Sequence, residues 1–329
     1  MPAQRGVTLV ELMISLVIGL LVLGGVTYVF FASRTTYTYN ETLSRIQENG
    51  RIALDSLNFD IRMAGYFGCG KADLIPINVI ANTPPVTKID GGTGIMGYTY
   101  GDGGVGFVDS GVLKGVGNSD VIVIRRASPS VLNLVGNLSA TNANIKISSN
   151  PDGFIAGDVL LVTDCSMGDL FRATTVSNSN SPPINIAHSN SENSSNFLSK
   201  TYGPDAQIMR FEEVAFFVRE TSRTTRSGKS IVSLFRRLNG VDQEIVDGVE
   251  DLRAFYSTDG VNFRPKESVG AAEWRDVVAV RVHLLLSTQE PTLTEAQKYR
   301  FADDAEKSGA DKVMRHEFTQ VIALRNRLQ

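Results

Sequence analysis

RGVTLVELMISLVIGLLVLGG, residues Arg5 to Gly25, holds one carboxylate, Glu11, at the mouth of an apolar run. From Leu12 to Ser33 there are 22 residues without a formal charge. At 1.5 Å per residue such a helix rises roughly 33 Å, enough to cross the hydrocarbon of a bilayer. A carboxylate beside lipid is costly and is kept where it has a partner or a task. A cleaved secretory signal would need small residues before the cut. Phe30, Phe31 and Ala32 stand there instead. An ordinary uncleaved anchor would leave Glu11 as an interfacial side chain reaching back to the headgroups.

Working outward, the helical pattern does not stop at the membrane. Leu43, Ile46, Gly50, Ala53, Leu57, Ile61 and Ala64 recur every three or four positions, one apolar stripe of an amphipathic helix. No proline lies between Pro2 and Pro76. The pattern predicts one helix from about Thr8 to Ala64, roughly 85 Å long. Its first half is apolar all round and wants lipid or other helices. Its second half has one apolar face and wants a sheet. Gly19, Gly24 and Gly25 weaken the helix locally, for bending or for close helix packing.

The rest of the 329-residue chain reads as strands joined by loops. Val278, Val280, Val282, Leu284 and Leu286 alternate along Asp276–Ser287. Val121–Arg125, Asp158–Thr163, Ile208–Arg219, Ile231–Leu238, Leu252–Ser257 and Glu317–Arg325 are further candidates. Asp259-Gly260 signals a hairpin turn. A helix is expected from Thr294 to Ser308. Asp90–Gly117, with eleven glycines, Ser177–Ser199 and Pro265–Ala272 read as loops. The fold class is α+β, a long N-terminal helix packed on an antiparallel sheet body with long loops. The chain is 20% charged with a net charge of −3, against bulk electrostatic binding of nucleic acid.

No set of residues assembles into a catalytic or metal centre, and neither an enzyme activity nor a cofactor is expected. The two cysteines, Cys69 and Cys165, make an even count in a body placed outside the cytoplasm, which suggests a disulfide. Chain entropy would credit so long a loop with about 4–5 kcal/mol. Two unpaired buried thiols are the alternative. Gly92-Thr93-Gly94-Ile95-Met96-Gly97 matches G-x-G-x-x-G but lacks the strand before it and the helix after it that a dinucleotide site needs. His188, His283 and His316 are scattered. Glu212 and Glu213 are strand neighbours and point to opposite faces. Arg219, Arg223, Arg226 and Lys229 read as a solvated hairpin turn, with doublets at Arg125-Arg126 and Arg236-Arg237.

Gly6-Val7-Thr8-Leu9-Val10-Glu11-Leu12 resembles the class III signal of type IV prepilins and pseudopilins. The resemblance implies cleavage between Gly6 and Val7, N-methylation of Val7, and a role for Glu11 in setting the register of assembly against a neighbour's α-amine. Val7 stands where that family usually has Phe. RIQENGRIALDSLNFDIRMAGYFGCG (Arg45–Gly70), SDVIVIRRAS (Ser119–Ser128), TDC (Thr163–Cys165), EIVDGVEDLRAFY (Glu244–Tyr256), DVVAVRVHLLL (Asp276–Leu286) and ALRNR (Ala323–Arg327) resemble the PilW family of minor pilins.

This resemblance implies a type IV pilin-like fold divided into a leader (1–6), a transmembrane and filament-core half-helix (7–33), an amphipathic half-helix (34–68) and a periplasmic body (69–329). The function implied is assembly, or priming, of the type IV pilus near its tip. The expected partners are other minor pilins and the major pilin, prepilin peptidase, the inner-membrane assembly platform and a tip adhesin. The expected location is the inner membrane, single-pass, and then the pilus. A J-type minor pseudopilin of type II secretion and a membrane-anchored periplasmic enzyme or binding module are the alternatives.

Overall fold

The computed structural model describes residues 8–68, 75–82, 94–99, 119–136, 144–177 and 182–327. One helix, α1 (Leu9–Arg62), runs 54 residues, about 81 Å. Eighteen strands follow among the described residues. They open with β1 (Ile77–Val79), β2 (Ile95–Thr99), β3 (Asp120–Ala127), β4 (Leu132–Asn133), β5 (Asn144–Ile147) and β6 (Val159–Thr163). Next come β7 (Gly168–Arg172), β8 (Thr175–Val176), β9 (Ile184–Ala187), β10 (Gln207–Thr224), β11 (Ser230–Leu238) and β12 (Val241–Asp247). The last are β13 (Val249–Ser257), β14 (Arg264–Pro265), β15 (Ala279–Ser287), β16 (Gln297–Tyr299), β17 (Lys307–Gly309) and β18 (Arg315–Ala323). This is the expected α+β architecture, a single long helix on a β-rich body.

The largest sheet runs β1-β7-β6-β10-β11-β12, with β3 and β4 also on β10 and β2 beyond β3. The second runs β14-β13-β15-β18. Pairing is antiparallel except for β1 with β7. Ile122, Ile124, Val214, Phe216 and Leu234 from the first sheet meet Leu252, Tyr256, Val280, Val282, Leu284 and Ile322 from the second in one apolar core. The helix closes this core with Ile46, Ala53, Leu57 and Ile61, packing on β12, β15 and β18. The stripe read from sequence is therefore the face that is buried.

β10 joins two halves of the body. Its C-terminal residues pair with β11 and carry the chain to a turn where Arg226 and Glu290 border the same notch as Thr38, Arg45 and Asn49 of α1. Its first residues, Gln207–Arg210, pair with β6. Asp60 of α1 bonds Arg236, whose strand partner is Phe216. Gln207 stands beyond the helix end, beside Gly68. There β1, β4–β9 and the segment 188–206 form a far half with its own core of Ile145, Phe171, Ile184, Ile186, Tyr202 and Ile208.

Three local readings change. Asp90–Gly117, read as loop, holds the strand β2, paired with β3 from Ile95 to Thr99. Residues 294–308 hold no helix. They hold the β16–β17 pair, with Gln297 exchanging side-chain hydrogen bonds with the backbone of Arg315. Ala302 adopts φ 51°, which an α-helix does not allow, and turns the chain so that Phe301 is buried. A weak periodicity lost to tertiary pairing. The stretch 177–199, read as loop, contributes β9 to the sheet β5-β9-β8. Asp259-Gly260 does turn the chain. The Asp259 carboxylate accepts from Ser257 Oγ and from the Val261 and Asn262 amides, and Gly260 takes φ +77°.

Candidate functional site

The candidate site is α1 itself. Thr8 is extended (φ −76°, ψ 151°) and caps the helix. The Thr8 hydroxyl accepts from the Glu11 amide at 3.3 Å, and Glu11 Oε2 accepts from the Thr8 amide at 3.1 Å and from its hydroxyl at 3.0 Å. This reciprocal capping box satisfies donors the helix would otherwise leave open. Its signal, Thr-x-x-Glu, stands in the sequence at Thr8 and Glu11. Gly6 and Val7, the expected cleavage pair, lie outside the described residues.

Above the cap the first half of the helix packs against no other element among the described residues. Its apolar side chains from Leu9 to Phe31 are 54–76% exposed. The best window has a mean hydropathy of 2.5 and no residue buried within the molecule. The hydroxyls of Ser15, Thr27, Thr35, Thr36 and Thr38 donate to the carbonyls four residues earlier, so they present no free donor to an apolar neighbour. A Cβ at Gly19, Gly24 or Gly25 would meet no atom within 4 Å. Each Leu, Ile, Val or Phe here gains about 1.5–3 kcal/mol on full burial, so the surface is built to be covered.

The second half of α1 is a joint. At Gly50 a Cβ would lie 2.6 Å from the Phe318 ring, so the missing side chain lets β18 approach. Asn49 donates to the Asp247 side chain and backbone at 3.3 Å. Asp60, 1% exposed, takes Arg236 at 2.6 and 3.2 Å and Arg126 at 2.9 Å. Arg126 also pairs with Glu212 and lies over the Phe59 ring. Arg125 pairs with Glu213 at 2.8 Å on the opposite side of β10. Burial pushes the Glu213 carboxyl above its ordinary value against the pull of Arg125. The arginine doublets are thus buried ion pairs, a role that residue spacing did not reveal. Beyond the helix, the Arg325 amide donates to Arg62 O and the Ala127 amide to Tyr66 O.

The remaining expected features are dispersed. Arg219 pairs with Asp242 at 2.6 Å, Arg223 with Glu244, and Lys229 lies 3.9 Å from Glu250. His283 Nδ1 lies 2.6 Å from Glu317. His316 packs edge-on to Phe318, while His188 is buried in the far half. Gly94–Gly97 of the glycine signature sit at β2, where a Cβ at Gly97 would lie 2.4 Å from the Tyr256 hydroxyl, so these glycines serve strand packing. Cys165 takes φ 71° just after β6, and among the described residues no cysteine is free. Cys69 lies outside the described residues.

A lone apolar helix, half free and half bound to a β-rich body, is the architecture of a type IV pilin, held in the inner membrane with a soluble body and later in the pilus. Residues 1–27 match the prokaryotic N-terminal methylation motif. Residues 215–326 match the family described as type IV pilus-assembly protein W, PilW. The two matches support a PilW-like type IV pilin. Neither a curated protein nor a solved structure gives a match. The PilW match runs from the middle of β10 to just past β18, the strands that clasp α1, and leaves the far half outside it.

Proposed function

We propose that the chain is a minor pilin that primes type IV pilus assembly near the filament tip, together with other minor pilins and the major pilin. Prepilin peptidase removes residues 1–6 by cutting between Gly6 and Val7, and Val7 is then N-methylated. Residues 7–33 serve as membrane anchor and then as filament core, 34–68 join that core to the body, and 69–329 form the periplasmic body. A tip adhesin and the inner-membrane assembly platform complete the set of partners. A disulfide between Cys69 and Cys165 ties the end of α1 to the strand β6.

The observation that carries this reading is the contrast within α1, whose apolar first half is fully exposed while its second half is fixed to the body. Such a helix can leave lipid only for a surface equally apolar, and side-by-side pilin helices offer one. Glu11 supports the same reading. Only its Oε2 is used by the cap, so Oε1 is left to accept from a neighbour's α-ammonium and fix axial register. Such a pair relieves a charge at the edge of lipid.

The test is intact mass and N-terminal sequencing of the protein from membranes of cells with and without prepilin peptidase. The expected result is a chain beginning at methylated Val7 only where the peptidase is present. An uncut terminus in both strains would remove the reading and leave Glu11 as a helix cap alone.

A further inference from the structure

The far half contains a buried titratable side chain, His188, that no hydrogen bond or ion pair among the described residues uses. His188 follows β9 directly and is 0% exposed. Its ring packs tilted on Phe171, 5.0 Å between centroids. Among the described residues neither Nδ1 nor Nε2 has a hydrogen-bond partner. A neutral imidazole in an apolar core is tolerable, whereas an imidazolium there carries a charge that the surrounding apolar side chains do not solvate.

The charged and titratable groups of the surrounding elements are already engaged or turned outward. On β7, the Asp169 carboxylate accepts from Asn78, from the Ser199 amide and hydroxyl, and from the Tyr202 hydroxyl. Arg172, also on β7, donates to the carbonyls of Gly157 and Asn82. In the segment after β9, Lys200 pairs with Asp164 and Glu192 is exposed. On β5, Lys146 is exposed. β8 and β9 carry no ionisable side chain. Burial holds the ring below its ordinary value of 6.5, against the smaller pulls of its own backbone carbonyl and of the Asp169 charge.

We propose that His188 makes the far half an acid-sensitive module: protonation of its ring opens the sheet β5-β9-β8 and its packing on β7, while the half that clasps α1 stays closed. The separate apolar core of the far half is what lets it open alone. The sign follows from the depressed value. Above about 6.5 the ring is neutral in both the open and closed forms and costs nothing. As pH falls below that value the open form binds a proton that the closed form refuses, and stability is lost until the closed form protonates too. Each unit of depression shifts the opening equilibrium about tenfold.

Hydrogen exchange of the full chain in detergent micelles, at pH 7.5 and pH 5 and corrected for intrinsic rates, reads this directly. Amides of β7–β9 are expected to exchange about tenfold faster at pH 5, while those of β13, β15 and β18 hold their protection. His188→Phe keeps a ring against Phe171 and is expected to abolish the difference. Equal exchange at both pH values, or the same acceleration in His188→Phe, would overturn the proposal. Should that variant not fold, the carbon-13 shift of the His188 ring in the wild-type chain decides. A ring that titrates near or above 6.5 with β7–β9 still protected would overturn it. One that stays neutral there while those amides lose protection would support it.

Discussion

The two halves of α1 share one helix and obey opposite rules. From Leu9 to Phe31 the large side chains are apolar and exposed, and among the described residues none packs on them. From Ile46 to Ile61 the buried face is Ile46, Gly50, Ala53, Leu57, Asp60 and Ile61, four apolar side chains with a glycine and a charge among them, each matched to a partner. The first surface is generic, since any apolar neighbour of suitable shape can cover it. The second is specific, because Phe318 needs the space at Gly50 and Asp60 needs two arginines. A chain that must move from lipid into a filament without shedding its body needs both kinds of surface.

The sharpest way to break this contrast is at Asp60. Asp60→Ala strands Arg126 and Arg236 at the helix joint, and truncating one member of a buried charged set costs about 3–5 kcal/mol. The urea midpoint of the full chain in micelles is expected to fall accordingly, with α1 amides near Arg62 losing protection first. Leu16→Ala, in the free half, is expected to leave that midpoint unchanged, within about 0.5 kcal/mol. Next in size is Gly50→Ala. The new methyl would overlap the Phe318 ring, and the expected cost is about 1–3 kcal/mol from overpacking. Phe318→Leu in the same chain is expected to recover part of it. Gly24→Ala meets open space and is expected to leave the body's midpoint where it was. Equal losses at Gly24 and Gly50 would mean that the two halves are not distinct.

The helix was legible because its signals are local. Periodicity marked Ile46, Ala53, Leu57 and Ile61, and uninterrupted apolarity marked the span. Long strands such as β10 and β15 were legible by alternation. The ion pairs at the joint were not, because Asp60 meets Arg126 and Arg236 only after β3 and β11 have been brought to the helix from far along the chain. Arginine doublets on a strand look solvated until their partners are known. The supposed helix after Thr294 failed for the converse reason. Its weak local pattern was overridden by Gln297 binding the backbone of β18. The candidate site was legible in its free half, which depends on composition, and hidden in its bound half, which depends on pairing across long separations.

Two smaller tests probe the ends of α1's influence. At the free end, Thr8→Ala removes one side of the capping box. Amides of residues 9–12 are expected to exchange about fivefold faster, the scale of a lost cap, with the body unaffected. A change reaching β18 would show the free half to be coupled to the joint after all.

At the foot of the body, Asp311 bonds Arg315 at 2.7 and 2.8 Å, while Arg315 also takes Glu250 at 2.6 Å. Arg315 holds the Asp311 carboxyl down to about 2. Because the folded value lies below the ordinary 3.8, this pair's stabilisation is present above that pH and is lost as pH falls toward 2. The Asp311 side chain is 40% exposed, so water screens the pair and its worth stays below about 1 kcal/mol. Asp311→Asn is therefore expected to lower the stability at pH 7 by less than about 1 kcal/mol, to leave it unchanged near pH 2, and so to flatten the acid limb slightly between pH 4 and 2. Acid unfolding followed at a set urea concentration would read the difference. A large loss at pH 7 would instead make the Asp311–Arg315–Glu250 cluster a second joint, holding β18 from below as Asp60 holds α1 from above.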